Sequence, residues 1–150
     1  AAAGGASRTV SVDTSRTYLE WGEKNLRLNR LSAERNVLVR QDVMDFLESD
    51  IGKFDLIFVD PPTFSNRKAA EDVFDVQRDH AELLRRASRS LKEGGRIVFS
   101  NNYRQFQLDP DLCDLFHVEE ISDSTIPPDF QRNRRIHRCW ILRSLQAGSA

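Results

Sequence analysis

Short apolar runs alternate with longer stretches of helical periodicity along this chain of 150 residues. Apolar runs of four to eight residues between turn residues favour strands, and apolar positions three and four residues apart favour helices. Strands are predicted over residues 9–13, 36–41, 54–59, 96–101, 116–121 and 136–143. Helices are predicted over residues 15–29, 43–47 and 75–91. This alternation is typical of a parallel sheet with helices on both faces, so we predict a doubly wound α/β fold in one domain, residues 1–150.

Several local signals set the limits of these elements. Ser15 is a suitable N-cap for the first helix. The third helix carries His80, Leu84 and Ala87 on one stripe, is expected to continue to Leu91, and is expected to stop at the glycines of residues 92–95. The polar segment 65–72 is expected to form a mobile loop. The last two strands, joined by a connection that contains two prolines, are expected to pair as an antiparallel hairpin.

An acid follows each of the first three predicted strands: Asp13, Asp42 and Asp60. In doubly wound sheets, ligands bind outside the carboxyl ends of the strands, and an acid there can accept hydrogen bonds from ribose hydroxyls. A single acid in such a place is usually only a helix cap, but three of them favour a binding edge. Asp60 also begins a distinctive loop, because Pro61 and Pro62 lack an N–H and have a fixed φ. A buried parallel strand that ends in this rigid loop predicts a site for a planar substrate.

The charged residues give a weaker signal. The formal net charge is −1, which argues against a domain that holds nucleic acid by electrostatics alone. The cations are nevertheless mostly arginines, whose planar guanidinium suits phosphates and base edges. Five of them lie close together near the C-terminus: Arg132, Arg134, Arg135, Arg138 and Arg143. They are either an RNA-facing patch or a solvated loop and strand edge.

The cysteines and histidines indicate no metal site. Cys113 and Cys139 fit no metal-ligand spacing and no disulfide framework. Cys139 is expected in the core, and His80 is expected to pack or to form a hydrogen bond rather than to catalyse. No apolar run approaches the ~20 residues that a membrane span needs, so we expect a cytoplasmic protein without a membrane partner.

The motifs together resemble those of class I S-adenosylmethionine-dependent methyltransferases, and more closely the guanine-N7-methylating C-terminal half of the bifunctional bacterial 23S ribosomal RNA methyltransferases. The matching pieces occur in the family's order over essentially the whole chain: residues 12–13, 41–42, 60–66, 75–80, 99–102 and 136–140. The run Asp60–Asn66 together with Asp75–His80 is the most specific part. The resemblance implies a Rossmann-like methyltransferase fold, S-adenosylmethionine as cofactor and ribosomal RNA as partner.

The resemblance also implies roles for individual residues. Asp13 is expected to bind the cofactor ribose, and Asp42 with the Val43 N–H is expected to bind the adenine end. Asp60 is expected to touch both cofactor and substrate, in the loop where methyl transfer takes place. The residues expected to be catalytic are Asp60, Pro61, Pro62 and Phe64. The residues expected to contact RNA are Arg132, Arg134 and Arg135.

In the family, a central strand and a glycine-bearing loop precede the region that this chain matches. The chain is expected to open in the helix that follows them, with Gly4 and Gly5 at the end of that helix. The cofactor site is therefore expected to need an upstream part of the same polypeptide.

One other enzyme interpretation and one non-enzyme interpretation are open. Methylation of cytosine C5 is disfavoured, because it needs a cysteine nucleophile, which related enzymes place just after the strand that here ends in Ser100, Asn101 and Asn102, where this chain has asparagine. Methylation of an exocyclic amine, at guanine N2 or adenine N6, usually accompanies an acid or amide followed by Pro-Pro and an aromatic residue, whereas here Thr63 intervenes. A methyltransferase-like module that only binds RNA or protein is the non-enzyme alternative.

Overall fold

The structure of the protein is a computed structural model that describes residues 1–65 and 74–145, without the side chains of Ser65, Arg134 and Arg135. The chain forms two compact units, Ala1–Ile51 and Gly52–Ala150, which are described separately. The single domain stays a prediction. Most of the predicted polar loop, residues 66–72, lies outside the described residues.

The first unit is built from two parallel strands and two helices. After a 3₁₀ turn at Ala2–Gly4, its elements are β1 (Thr9–Asp13), α1 (Arg16–Leu28), β2 (Asn36–Arg40) and α2 (Val43–Glu48). β1 and β2 pair in register, with Thr9 opposite Asn36 and Asp13 opposite Arg40. All four elements were predicted from the sequence to within one residue or so at each end.

Side-chain caps explain where the two helices of this unit begin. The Ser15 hydroxyl accepts a hydrogen bond from the Tyr18 N–H at 3.3 Å, and the Asp42 carboxylate accepts one from the Met44 N–H at 2.9 Å. Each bond satisfies an N–H that has no acceptor inside its helix. The apolar side chains of this unit all keep part of their surface exposed.

The second unit holds the core of the protein. Its elements are β3 (Phe54–Val59), β4 (Phe64–Ser65), β5 (Phe74–Asp75), α3 (Val76–Ser88), β6 (Leu91–Asn101), β7 (Phe116–Glu120), α4 (Ser122–Thr125) and β8 (Arg138–Ser144). A sheet in the order β3-β6-β8-β7 joins a parallel pair, β3–β6, to two antiparallel pairs. The predicted C-terminal hairpin is thus confirmed as β7–β8. A 3₁₀ helix at Pro110–Asp114 and another at Pro128–Ile136, interrupted at Asn133, complete the unit.

An aromatic cluster lies where α3 packs on this sheet. His80 of α3 contacts Phe99 and Phe106, with ring centroids 6.1 and 4.7 Å away. Trp140 of β8 stacks on Phe99 at 5.6 Å and contacts Phe106 at 5.3 Å. The predicted stripe of His80, Leu84 and Ala87 is buried. Burial of these rings and aliphatic side chains is the main source of stability in this unit.

Two expectations about this unit are corrected. The third helix ends at Ser88 rather than at Leu91, because Leu91 pairs with Phe54 as the first residue of β6. The pairing then resumes at Leu56 opposite Arg96, so residues 92–95 form a bulge within the strand. β3 is also not buried on both faces. Successive side chains of a strand alternate between its faces, and on one face Leu56 and Phe58 are 49% and 65% exposed.

The bulge explains the two glycines. Gly94 has a φ of +71°, with open space where a Cβ would stand. Gly95 has no unusual φ, but a Cβ there would come within 2.9 Å of the Lys92 carbonyl oxygen and 3.1 Å of the Phe54 carbonyl oxygen. Backbone atoms cannot move aside as a flexible side chain can. Gly95 is therefore required by close packing, and Gly94 by its left-handed conformation.

We expect Gly95→Ala to lower the free energy of unfolding by about 2–3 kcal/mol, since the added methyl forces the β3–β6 bulge apart. Gly94→Ala is the matched control and should cost only about 1 kcal/mol, because its cost is conformational. Urea unfolding followed by circular dichroism measures both. Equal losses for the two variants would contradict the close-packing explanation.

Candidate functional site

Two of the predicted acids meet at the carboxyl edge of the first unit. Asp13 ends β1, and Asp42 follows β2. The two strands are parallel neighbours, and the Gln41 N–H donates to the Asp13 carbonyl at 3.2 Å, so both acids lie at the same edge. The predicted common edge is confirmed for Asp13 and Asp42, whereas the place of Asp60 at the same edge stays a prediction.

Each of these carboxylates is oriented by a backbone N–H. The Ser15 N–H donates to Asp13 Oδ1 at 2.7 Å, and the Met44 N–H donates to Asp42 Oδ1 at 2.9 Å. Arg40 adds to the rigidity of the edge by donating from Nε to the Thr14 carbonyl at 3.2 Å. The Val43 N–H, as the first of a helix, has no acceptor inside α2. The edge therefore offers fixed carboxylate oxygens and one N–H, which suits hydroxyls and a nitrogen heterocycle.

The second unit places Asp60 at the carboxyl end of β3. Ser100, near the end of the adjacent strand β6, donates from Oγ to Asp60 Oδ1 at 2.8 Å. Ser100 is buried whereas Asp60 is exposed. The Ser100 hydroxyl therefore fixes the Asp60 carboxylate from the buried side, and the carboxylate stays accessible to a ligand.

Asn101, the next residue of β6, is 1% exposed. Its Oδ1 accepts a hydrogen bond from the Tyr103 N–H at 3.1 Å, and its Nδ2 has no acceptor within the described parts of the chain. Buried amide groups without a partner are uncommon. No role was predicted for Ser100 or Asn101 from the sequence. Their polar character at a strand end was the signal that could have indicated a role.

The loop after Asp60 is pinned to the start of α3. The Val76 N–H donates to the Thr63 carbonyl at 3.1 Å, and Phe64 pairs with Asp75 between β4 and β5. Pro61 and Pro62 stiffen the intervening backbone. Phe64 remains 59% exposed, with its ring centroid 6.4 Å from that of Tyr103. Phe64 is therefore an accessible ring rather than a core residue.

His80 has a structural role. Its Nδ1 lies 2.9 Å from the Val76 carbonyl and 3.0 Å from that of Gln77, and its Nε2 accepts a hydrogen bond from the Asp109 N–H at 3.0 Å. Only the neutral ring with its proton on Nδ1 satisfies both sides. Burial lowers the pKa of His80 below 6.5, against the opposing effect of the two carbonyls and Asp109. His80 is thus a packed, hydrogen-bonded residue, as expected.

Cys139 is a core residue as well. It lies on β8 opposite Ser100 and is 3% exposed. Burial raises the pKa of its thiol, and the nearby carboxylate of Asp60 acts in the same direction. A thiol held in its protonated form is a poor nucleophile. The geometry therefore disfavours a cytosine-C5 mechanism through Cys139.

Two of the five clustered arginines are engaged within the protein. Arg138 pairs with Glu120 at 2.9 Å, and its guanidinium lies 4.8 Å from the Trp140 ring. Arg143 pairs with Glu119 at 2.9 Å. Arg132 is exposed, and the side chains of Arg134 and Arg135 lie outside the described atoms. An RNA-facing segment at Arg132, Arg134 and Arg135 stays a prediction.

Within residues 1–65 and 74–145, no group of three or more His, Cys, Asp or Glu side chains is placed to hold a metal ion. No helix in the same part of the chain is both long enough and apolar enough to cross a membrane.

The chain is similar in sequence to enzymes that methylate RNA. Residues 1–134 match the sequence profile of the S-adenosylmethionine-dependent methyltransferases. The chain is 59% identical over 143 residues to Ribosomal RNA large subunit methyltransferase K/L of Pseudomonas entomophila (strain L48). It is 57% identical over 144 residues to the protein of the same name in Stutzerimonas stutzeri (strain A1501). These alignments cover 95% and 96% of the chain but 20% of each relative, so the chain spans about one fifth of their length.

The fold is also that of solved methyltransferases. The SMU.776 protein, a methyltransferase crystallised with SAH, superimposes with a TM-score of 0.74 at 23% identity, over 93% of this chain and 40% of that one. At this identity the likeness shows the fold alone. It confirms the predicted α/β, Rossmann-like class I architecture.

The His80 geometry predicts a pH dependence of stability. The unfolded histidine titrates near 6.5 and the folded one below it, so the unfolded state binds more protons between these values. We expect the free energy of unfolding to fall as the pH is lowered from 7.5 to 5.5, and His80→Gln to remove this loss. Denaturant titrations at several pH values measure it. Glu82 has a pKa below its ordinary value of 4.5 in the folded protein. Acids of this kind change the free energy of unfolding only at pH values below this window.

His117→Gln is the matched control, since His117 is exposed on β7. This variant should lose as much free energy of unfolding between pH 7.5 and 5.5 as the parent does. If the pH dependence of the free energy of unfolding persists in His80→Gln and is lost in His117→Gln, the assignment to His80 is refuted.

Proposed function

Because the chain belongs to the family of S-adenosylmethionine-dependent methyltransferases, we propose that it carries the methyl-transfer site of an enzyme that modifies guanine N7 in ribosomal RNA. The observation that carries this proposal is the exposed ring of Phe64 in the loop that follows Asp60, whose carboxylate is oriented by Ser100 at a strand's carboxyl end. The names of relatives 52–59% identical to this chain support ribosomal RNA as the substrate class. The choice of N7 as the methylated atom rests on the motif resemblance of residues 60–66 and 75–80.

The first unit is proposed to hold the adenosine part of the cofactor. Asp13 would accept hydrogen bonds from the ribose hydroxyls through the oxygen that Ser15 leaves open. Asp42 would accept one from the adenine amino group, and the Val43 N–H would donate to a ring nitrogen. These groups fit the adenosine part of the cofactor, because backbone N–H groups at 2.7 and 2.9 Å already hold both carboxylates in place. Preorganised acceptors lose little conformational entropy on binding.

The second unit is proposed to position the base. S-adenosylmethionine supplies an electrophilic methyl group on a sulfonium, and the protein supplies orientation. Guanine N7 has an in-plane lone pair and no proton, so no residue has to act as a base on the nucleophile. Phe64 would stack on the base, and the carbonyls of Asp60, Pro61 and Pro62 would hold its edge. Since the loop is pinned by Thr63 to Val76, it can fix N7 in line with the methyl group.

A second candidate is methylation of an exocyclic amine, at guanine N2 or adenine N6. It is favoured by the exposed Asp60 carboxylate, whose Oδ1 alone is engaged by Ser100. The other oxygen could accept a hydrogen bond from an amino group and orient its nitrogen. The position of the product methyl group separates the two candidates.

The RNA contact is proposed to include Arg132, Arg134 and Arg135. Because these relatives are about five times as long as this chain, the rest of a full-length polypeptide is a further proposed partner in cofactor and RNA binding. A cytoplasmic location stays a prediction.

We expect Asp13→Ala to weaken binding of S-adenosylhomocysteine to the natural full-length polypeptide by about 1.5–3 kcal/mol, since a charge-assisted hydrogen bond is lost. Isothermal titration calorimetry measures the change. Asp114→Ala, at an exposed acid in a 3₁₀ helix, is the matched control and should bind like the parent. An unchanged dissociation constant in a folded Asp13→Ala protein would exclude Asp13 from the site.

We expect the full-length polypeptide to methylate in-vitro-transcribed large-subunit ribosomal RNA at a guanine N7, which borohydride reduction and aniline cleavage detect. Phe64→Ala should lower the single-turnover transfer rate by about 10- to 100-fold through lost stacking, with little effect on cofactor affinity. Phe64→Tyr keeps an aromatic ring and should stay within a few-fold of the parent. The transfer step should also vary little between about pH 6 and 9. Methyl incorporation without aniline cleavage would refute N7 and favour the exocyclic amine.

A further inference from the structure

Residues 102–109, which connect β6 to the following 3₁₀ helix, form a loop that we name the clamped loop. Three side chains from two other elements, α3 and β8, hold its backbone. Gln77 accepts from the Gln107 N–H at 2.8 Å and donates to the Gln107 carbonyl at 2.9 Å. His80 accepts from the Asp109 N–H at 3.0 Å, and Arg138 donates to the Phe106 carbonyl at 3.1 Å.

The clamped loop is also anchored by one apolar side chain. Phe106 is 1% exposed and lies among the rings of His80, Phe99 and Trp140. At the start of the loop, the buried Asn101 accepts from the Tyr103 N–H at 3.1 Å. A connection between elements normally retains considerable freedom. This one is fixed at both ends and at its middle.

The residue that these anchors position is Tyr103. The Phe106 N–H donates to its carbonyl at 3.1 Å, and its hydroxyl donates to Gln105 Oε1 at 3.3 Å. Its ring faces the exposed ring of Phe64, with the two planes inclined at 61° and the centroids 6.4 Å apart. A planar base that stacks on one of two rings in this arrangement meets the other along its edge.

We propose that Tyr103 is a second aromatic contact for the target base, and that Gln77, His80 and Arg138 are positioning residues that keep the clamped loop in the receiving conformation. The partner is an unstacked purine of a single-stranded RNA segment. Such bases are recognised by stacking on aromatic side chains and by contacts to their edges. A loop held before binding loses little entropy when the base arrives. This inference rests on the proposal that the second unit receives the base.

The kinetic test uses the natural full-length polypeptide and in-vitro-transcribed large-subunit ribosomal RNA, with total tritiated methyl incorporation as the readout. Tyr103→Ala should lower kcat/KM for the RNA by about 5- to 100-fold, the range for loss of one stacking contact. Tyr103→Phe keeps the ring and should stay within threefold. The dissociation constant of S-adenosylhomocysteine should not change. Tyr18→Ala, at a tyrosine of α1 that is 60% exposed, is the matched control and should behave as the parent.

Total methyl incorporation separates this inference from the proposed N7 chemistry. Methyl transfer to another atom would refute the N7 assignment. The Tyr103 variants would still be compared by the same tritium incorporation. A Tyr103→Ala protein as active as the parent would overturn the inference. A Tyr103→Phe protein as impaired as Tyr103→Ala would also overturn it, since the hydroxyl rather than the ring would then matter.

A spectroscopic arm tests binding without catalysis. 3-Fluorotyrosine is placed site-specifically at Tyr103 of the natural full-length polypeptide, and at Tyr18 in a second sample, so that each ¹⁹F resonance is assigned and Tyr18 serves as the control. A single-stranded RNA octamer with one central guanine should shift the Tyr103 resonance and leave that of Tyr18 unchanged. The same octamer with an abasic site in place of the guanine should not shift it. A Tyr103 resonance that does not respond to the guanine octamer would overturn the inference.

Gln77 tests the positioning role. Gln77→Ala removes both hydrogen bonds to Gln107 but leaves Tyr103 in place. It should raise the KM for RNA several-fold and broaden the Tyr103 ¹⁹F resonance, with the Tyr18 resonance unchanged. A raised KM together with an unaltered Tyr103 resonance would overturn the role of Gln77 in positioning that ring.

Discussion

The burial of Phe106 is the interaction on which the arrangement of the second unit depends. Its ring lies 4.7 Å from His80 on α3, 5.5 Å from Phe99 on β6 and 5.3 Å from Trp140 on β8. One loop residue thus joins the helix to the two central strands of the sheet. Because interiors are close-packed, a ring in this position cannot shift without disturbing all three elements. The loop that carries Phe106 is held by the same packing.

The polar residues around this cluster follow from that burial. Drawing Phe106 into the core brings backbone groups of residues 106–109 close to α3 and β8, where the Phe106 carbonyl and the Asp109 N–H take part in part-buried hydrogen bonds. Backbone N–H and carbonyl groups that leave water need partners. His80 and Arg138 provide them, and Gln77 adds two exposed hydrogen bonds to Gln107. The segment Asp75–His80, the most specific part of the family resemblance together with residues 60–66, therefore has a structural explanation that does not involve catalysis.

Much of the fold follows from local signals in the sequence. The cap at Ser15, the acid after each early strand and the apolar runs are all short-range features, and they placed β1, α1, β2, α2 and β3 correctly. The parallel pairing of β1 and β2 then brings Asp13 and Asp42 to one edge with no further information. The end of α3 was wrong because helical spacing continues to Leu91, whereas pairing with Phe54 takes Leu91 into β6. Such competition between a local pattern and a distant partner is not visible in one segment of sequence.

The proposed base-binding region could be predicted only in part from the sequence, for the same reason. Asp60 and Phe64 belong to one short motif, whereas Ser100 and Tyr103 reach them only through the β3–β6 pairing and the packing of Phe106.

Charge adds a further constraint on how the proposed RNA substrate is held. Several cations of this unit are already paired, Arg138 with Glu120, Arg143 with Glu119 and Lys92 with Asp55. The formal net charge of −1 argues against RNA binding through the phosphate contacts of this chain alone. Under the proposed function, aromatic contacts to one unstacked base, which carry no charge, add to the phosphate contacts proposed for Arg132, Arg134 and Arg135.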